Sequence, residues 1–120
     1  TVLFSGLRYG LRARGYEALG AFVDKARSTS QALGLKDVQW VLGDFMAADL
    51  SDCTVAFLAW TTFPDYVRAA ASRLVEGLAP GARVATLTHP LSSAGFELMD
   101  KERKRFSWGY ATVHYYRKMS

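Results

Sequence analysis

Residues 54–88, TVAFLAWTTFPDYVRAAASRLVEGLAPGARVATLT, hold the pattern that decides the fold. Thr54–Trp60 is an unbroken apolar run, the composition of a strand covered on both faces in a parallel sheet. Pro64 and Asp65 suit the first turn of a helix, where proline's missing N–H is no loss and a carboxylate meets the positive dipole end. Val67, Ala70, Ala71, Leu74, Val75 and Leu78 fall at helical spacing and supply its buried stripe, and Pro80-Gly81 stops it. Arg83–Thr88 is a second strand, ended by His89-Pro90. A strand, a helix and a strand of these lengths make a parallel crossover unit.

The same alternation extends in both directions. Upstream, Arg12–Glu17 reads as a short strand that ends on an acidic residue. Leu19, Phe22, Val23, Ala26 and Leu33 form the apolar stripe of a helix with Asp24, Lys25 and Arg27 opposite, and Gly34 closes it. Residues 38–43 read as the next strand, ended by Gly43-Asp44. Before all of these, Leu3, Phe4, Leu7 and Leu11 are spaced for a short helix ending near Gly10. Downstream, Phe96–Met99 and Tyr110–Tyr116 have the character of strands, with a turn or bulge at Gly109. The whole chain, residues 1–120, reads as one α/β domain, a mostly parallel sheet finished by an antiparallel strand pair.

Composition is consistent with that reading. The chain has 120 residues and 13.3 kDa, half of it apolar, with 22% charged residues and no low-complexity tract, which excludes a disordered or fibrous protein. Its single cysteine, Cys53, cannot form an internal disulfide, so a reducing compartment fits. No run approaches the roughly 18 to 20 apolar residues that span a bilayer, so no membrane role is expected and a cytoplasmic or nuclear protein is the default. The net charge of +4 is unevenly placed. Lys101, Arg103, Lys104, Arg105, Arg117 and Lys118 stand against Glu102 alone in the last twenty residues, so the basicity is a C-terminal feature. Residues 101–105 read either as a solvated strand edge or turn, or as a patch that attracts nucleic acid or an acidic protein surface.

Several chemistries lack their parts. There is no phosphate-loop or G-x-G-x-x-G signature, no G-x-S-x-G elbow and no H-E-x-x-H. His89 and His114 stand alone, and with one cysteine no metal site can be drawn. What is left is a pair of carboxylates where open α/β sheets hold ligands, over the carboxyl ends of strands. Glu17 ends one strand and can accept from both hydroxyls of a ribose. Asp44 ends the next and can accept from an exocyclic amine, with Phe45 against a ring face. Either these residues bind a nucleoside, or they cap the following helix and turn.

Gly15-Tyr16-Glu17, the helix after it, Leu35-Lys36-Asp37-Val38 and Val41-Leu42-Gly43-Asp44-Phe45 resemble the second half of the cofactor site of class I S-adenosylmethionine-dependent methyltransferases. Leu74–Val84, with its L-x-P-G turn, is similar to the helix, turn and fifth strand of that Rossmann-like fold, and residues 96–118 to its terminal antiparallel strands. A narrower likeness, to the non-SET, disruptor-of-telomeric-silencing type of protein lysine methyltransferase, rests on Gly43-Asp44-Phe45, Val55-Ala56-Phe57, Phe106–Gly109 and Val113–Tyr116.

The resemblance implies S-adenosylmethionine as cofactor, with Glu17 on the ribose hydroxyls, Asp44 on the adenine amine and Phe45 on the adenine face. It places Trp60, Thr61 and Phe63 at the methyl group and the acceptor, with Trp60, Phe63 and Trp108 as aromatic walls for a protein lysine or another amine. The chain contains no asparagine, and Ala59-Trp60-Thr61 stands where many amino methyltransferases carry an Asn-containing motif. The first strand and glycine-rich loop of the superfamily have no counterpart; Thr1–Tyr9 would be the helix that follows the loop. A missing N-terminal segment or another chain is then expected to cover an open side of the sheet. Two other functions fit parts of the pattern. One is a non-catalytic Rossmann-like module that binds a partner through its basic C-terminal end. The other is nicotinamide-dependent redox chemistry, which would also use an acid such as Glu17 but sits poorly with terminal antiparallel strands.

Overall fold

The computed structural model describes residues 6–120. The expected helix around Leu3 and Phe4 lies in part outside the described residues; Gly6 and Leu7 are helical and residues 8–10 form a turn, with Tyr9 and Gly10 donating their N–H groups to the carbonyls of Gly6 and Leu7 at 3.0 and 3.1 Å. The chain forms two compact units, one up to Ala47 and the other from Ala48 to Ser120.

The first unit is a single βαβ crossover. Strands β1 (Ala13–Glu17) and β2 (Val38–Leu42) pair in parallel, Ala13 opposite Val38 and Glu17 opposite Leu42, and helix α1 (Gly20–Ala32) connects them. No side chain caps α1 at Leu19, but Glu17 Oε1 accepts the Leu19 N–H at 3.1 Å. The C-terminus closes with paired bonds from Gly34 N to Gln31 O and from Leu35 N to Ser30 O, and Gly34 takes a φ of 66°, the left-handed position that favours glycine. The expected apolar stripe is only partly buried: Val23 is covered, whereas Leu19, Phe22 and Leu33 are more than half exposed. A polar link adds to Val23. Trp40 Nε1 on β2 donates to Ser30 Oγ at 2.7 Å, and Ser30 Oγ donates to Ala26 O at 2.8 Å, so a buried hydroxyl joins strand to helix.

The second unit carries the larger core. Its sheet has the order β3-β4-β6-β5, with β3 (Val55–Leu58) parallel to β4 (Arg83–Leu87), β4 antiparallel to β6 (Gly109–Lys118), and β5 (Phe96–Phe106) antiparallel to β6 at the edge. Helix α2 (Asp65–Val75) crosses between β3 and β4. Val75, Leu78, Ala82, Val84 and Tyr116 form the core, with Leu50, Cys53, Ala56, Leu58, Leu91 and Phe96 packed against it. Burial of side chains of this size stabilises by about 1.5–3 kcal/mol each. The Tyr116 hydroxyl, at the bottom of that cluster, accepts the Leu91 N–H at 2.9 Å.

Two expectations need correction. The strand expected over residues 54–60 is only Val55–Leu58, and it is covered on one face: Ala56 and Leu58 pack into the core while Val55 is 54% exposed and Phe57 36%. The last two strands are much longer than expected. They form one hairpin with a two-residue turn at Ser107-Trp108 and a bulge between Leu98 and Asp100. The charged run 101–105 lies inside β5, on the edge of the sheet, a position compatible with either of its two readings. Among the described residues no helix is long and apolar enough to cross a membrane.

Candidate active site

In the first unit, parallel pairing brings the carboxyl ends of β1 and β2 side by side. Gly43 N donates to Glu17 O at 3.1 Å, one step beyond the last strand pair, so Glu17 and Asp44 follow each other on adjacent strand ends. Glu17 is half-buried and gives one carboxylate oxygen to the start of α1; no bond to its other oxygen is formed within the described residues. Asp44 is exposed, and its Oδ1 accepts the Met46 N–H at 2.9 Å, an Asx turn that starts the short 3-10 turn Phe45–Ala47. Gly43 has a φ of 150°, and a Cβ built on it would meet nothing within 4 Å, so the backbone just before Asp44 faces open space on that side. Both roles considered from the sequence are therefore compatible: each acid turns the chain with one oxygen and has a second oxygen with which to accept.

In the second unit, Trp60, Thr61 and Phe63 follow β3 and meet the residues that follow β4. Trp60 is 1% exposed, and its Nε1 donates to His89 O at 3.1 Å, so its indole is packed inside the unit instead of forming an open wall. Thr61 Oγ1 lies 2.9 Å from Thr88 Oγ1, and His89 Nε2 lies 3.0 Å from Thr61 O. Phe63 is half-buried, and its carbonyl accepts from Arg68, which also pairs with Asp65. A cavity of about 290 Å³ is lined by Trp60, Asp65, Arg68, Ser72 and His89 among others, and the buried Ser72 hydroxyl has no partner within the described residues. Trp108 is exposed at the tip of the terminal hairpin, stacked on Phe106 at 5.3 Å.

Thr88 and His89 did not stand out in the sequence as part of this constellation. Thr88 has a φ of 70°, and His89 N donates to Leu87 O at 2.8 Å, a tight three-residue turn of the strained hand at a β-branched residue. Strain of this kind costs on the order of 1–3 kcal/mol and persists where surrounding bonds over-determine it. Here Thr88 N is held by Thr112 O, while the His89 carbonyl accepts from both Trp60 and Thr86. The sequence signal was the His-Pro pair at a strand end. Among the described residues no cluster of histidine, cysteine and acid could hold a metal ion.

No protein-family model matches the chain, and no curated protein does. Solved structures do. An RNA methyltransferase from Salinibacter ruber, in complex with S-adenosyl-L-homocysteine, superposes with a TM-score of 0.71 and 25% identity over 92% of this chain and 68% of its own. The fold is that of the class I methyltransferases. The N-methyltransferase NodS from Bradyrhizobium japonicum aligns over 91% of this chain and 74% of its own at 12% identity and a TM-score of 0.67. TrmN from Thermus thermophilus covers 88% of this chain at 19% identity and a TM-score of 0.66, with 36% of its own length matched. The methyltransferase fold agrees with the L-x-P-G turn and the terminal antiparallel strands. The narrower likeness to protein lysine methyltransferases is not carried by these matches.

Proposed function

We propose that this chain acts in S-adenosylmethionine-dependent methyl transfer, its first unit holding the adenosine end of the cofactor and its second contributing acceptor-binding residues. The observation that carries this is the pair of carboxylates on adjacent parallel strand ends, Glu17 and Asp44, the second preceded by Gly43, which bonds to the Glu17 carbonyl and whose missing Cβ would meet nothing within 4 Å. The donor set fits the group: a carboxylate accepts from two vicinal hydroxyls or from an exocyclic amine, and Phe45 follows Asp44 to lie along a purine face. When bound, the cofactor supplies a methyl group on a sulfonium, which an incoming nucleophile takes in line while the electron pair stays on sulfur. The chain's own contribution is to fix the adenosine, to align the acceptor and to keep water away from it. The Salinibacter structure, with adenosylhomocysteine bound, supports the choice of cofactor.

For the acceptor we favour a nitrogen, the amine of a protein lysine or a similar group, entering near Thr61 and Phe63. Methyl transfer needs the unprotonated lone pair. The Asp65–Arg68 pair beside Phe63 is internally neutralised, so it adds no free carboxylate that would stabilise the ammonium form. Trp60, being buried, serves as the floor on which this segment is packed, so Phe63 is the aromatic contact left beside the acceptor. Calorimetry of the full-length protein with adenosylhomocysteine tests the cofactor assignment. Asp44→Ala and Glu17→Ala should each weaken binding about 10- to 100-fold, the worth of charge-assisted hydrogen bonds. No binding by the wild type, or binding indifferent to both substitutions, sinks the reading. A second reading, a non-catalytic module that holds its partner through the basic C-terminal end, is favoured by the distribution of charge on the terminal hairpin.

A further inference from the structure

Alternation along β5 sorts its charges by face. Lys101, Arg103 and Arg105 stand opposite His114, Thr112 and Tyr110 of β6 and point to one side of the sheet, whereas Asp100, Glu102 and Lys104 point to the other. The acids of this stretch are thus kept off the first face, and the Glu102–Lys104 pair, at 2.8 Å, closes on the opposite one. The first face is basic without a compensating carboxylate in its own rows, and Lys101, Arg103 and Arg105 are all exposed. It is also aromatic: the Arg103 guanidinium lies 4.8 Å from the centroid of Tyr110, whose side chain is 58% exposed. Between the cations runs a groove of about 370 Å³ lined by Thr88, Lys101, Arg103, Thr112 and His114. In its floor, His114 Nδ1 is buried with no hydrogen-bond partner within the described residues. Burial, and then the neighbouring Lys101, holds that imidazole below its usual pKa, so at neutral pH it is an uncharged ring with one donor and one acceptor nitrogen.

We propose that this face of the hairpin binds single-stranded RNA, the row Lys101, Arg103 and Arg105 following the phosphates, Tyr110 stacking a base, and Thr112 with His114 meeting ribose hydroxyls in the groove. Two features separate this occupant from an acidic polypeptide. A row of cations alone would serve either polyanion. An exposed aromatic ring already stacked by arginine offers the flat platform that an unpaired base uses and a carboxylate does not. Uncharged hydrogen-bonding groups sunk between the cations suit the 2′-hydroxyl, the group by which proteins tell RNA from DNA. The inference rests on the hairpin alone and holds whether or not the cofactor assignment does.

Fluorescence anisotropy with a labelled oligouridylate, titrated with the full-length protein at several salt concentrations, tests it. Binding should weaken steeply with salt, because each phosphate neutralised contributes a slope of roughly −0.7 in the logarithmic plot for single strands. The triple variant K101A/R103A/R105A should lose at least about tenfold in affinity and flatten the slope by about two. Tyr110→Ala should lower affinity with the slope unchanged, and Glu102→Gln with Lys104→Gln on the opposite face should change neither. Circular dichroism of the variants separates loss of binding from loss of folding, and retained adenosylhomocysteine binding separates it from damage to the first unit. The proposal is overturned if the wild type does not bind at low salt or if the triple variant binds as well. Equal affinity for the deoxy oligonucleotide, or full competition by polyglutamate together with an indifferent Tyr110→Ala, also overturns it in favour of DNA or of an acidic protein.

Discussion

The two units are held together in different ways. The second builds a cluster of five buried apolar side chains between α2 and a four-stranded sheet. The first has one helix on two strands, and among its described residues only Val23 and Ser30 are buried, the latter a polar side chain held by Trp40. A two-stranded sheet with one helix offers little apolar surface to cover, and two strands alone are marginal in water. Both carboxylates assigned to the cofactor stand on this weakly packed unit. The unit proposed to hold the cofactor is therefore set by backbone pairing and turn geometry, while the other unit is set by its core.

Substitutions can break that contrast or make it sharper. The largest effect should come from Leu78→Ala, which removes a buried side chain from the second unit's cluster and should cost about 2–5 kcal/mol in denaturant unfolding. Phe22→Ala, in the expected stripe of α1 but 61% exposed, should stay within about 0.5 kcal/mol, and an equal loss at both sites would remove the distinction. Trp40→Phe is intermediate. It deletes the indole donor to Ser30 while preserving most of the ring, and should cost about 1 kcal/mol; in a double-mutant cycle, Ser30→Ala should cost less in the Trp40→Phe background than in the wild type. Additivity there would show that the polar link contributes nothing.

The smallest effect concerns pH. The His114 pKa is lowered, by burial first and by Lys101 second, from a usual value of 6.5. The unfolded chain then takes up the proton more readily than the folded one, so this contribution to stability is intact above about pH 6.5 and is lost as the pH falls through the lower, folded value. Melting temperatures of the wild type should decline below pH 6.5 more than those of His114→Gln, in which this component is absent. Parallel declines would mean that His114 is not responsible.

Much of the architecture was legible because local signals agreed with the tertiary arrangement. Gly34 marked the end of α1 since only a left-handed residue completes its closing bonds, and Pro64 and Pro80-Gly81 bracketed the second helix and its turn to β4. The hairpin was underestimated because an edge strand can be charged along its whole length, so Lys101–Arg105 carry no apolar alternation to read. The exposure of Phe22, Leu33 and Phe57 was hidden for the converse reason, since periodicity marks a face without saying what covers it. At the candidate site, the acids at strand ends could be read from spacing. The burial of Trp60 and the strained turn at Thr88 could not, because both depend on bonds to residues 27 to 29 positions away.

The eleven-residue β5 is the free border of its sheet, with a row of backbone donors and acceptors available to any other extended chain. Five consecutive charged residues, Lys101–Arg105, disfavour pairing of a second copy of the same strand there, because four cations against the single Glu102 leave a net repulsion between the copies. The cations assigned to RNA thus also act as gatekeepers against aggregation. A bound polyanion would neutralise them on one face, and an unsaturated mixture of protein and long RNA should then be the condition under which copies of this chain associate through their borders.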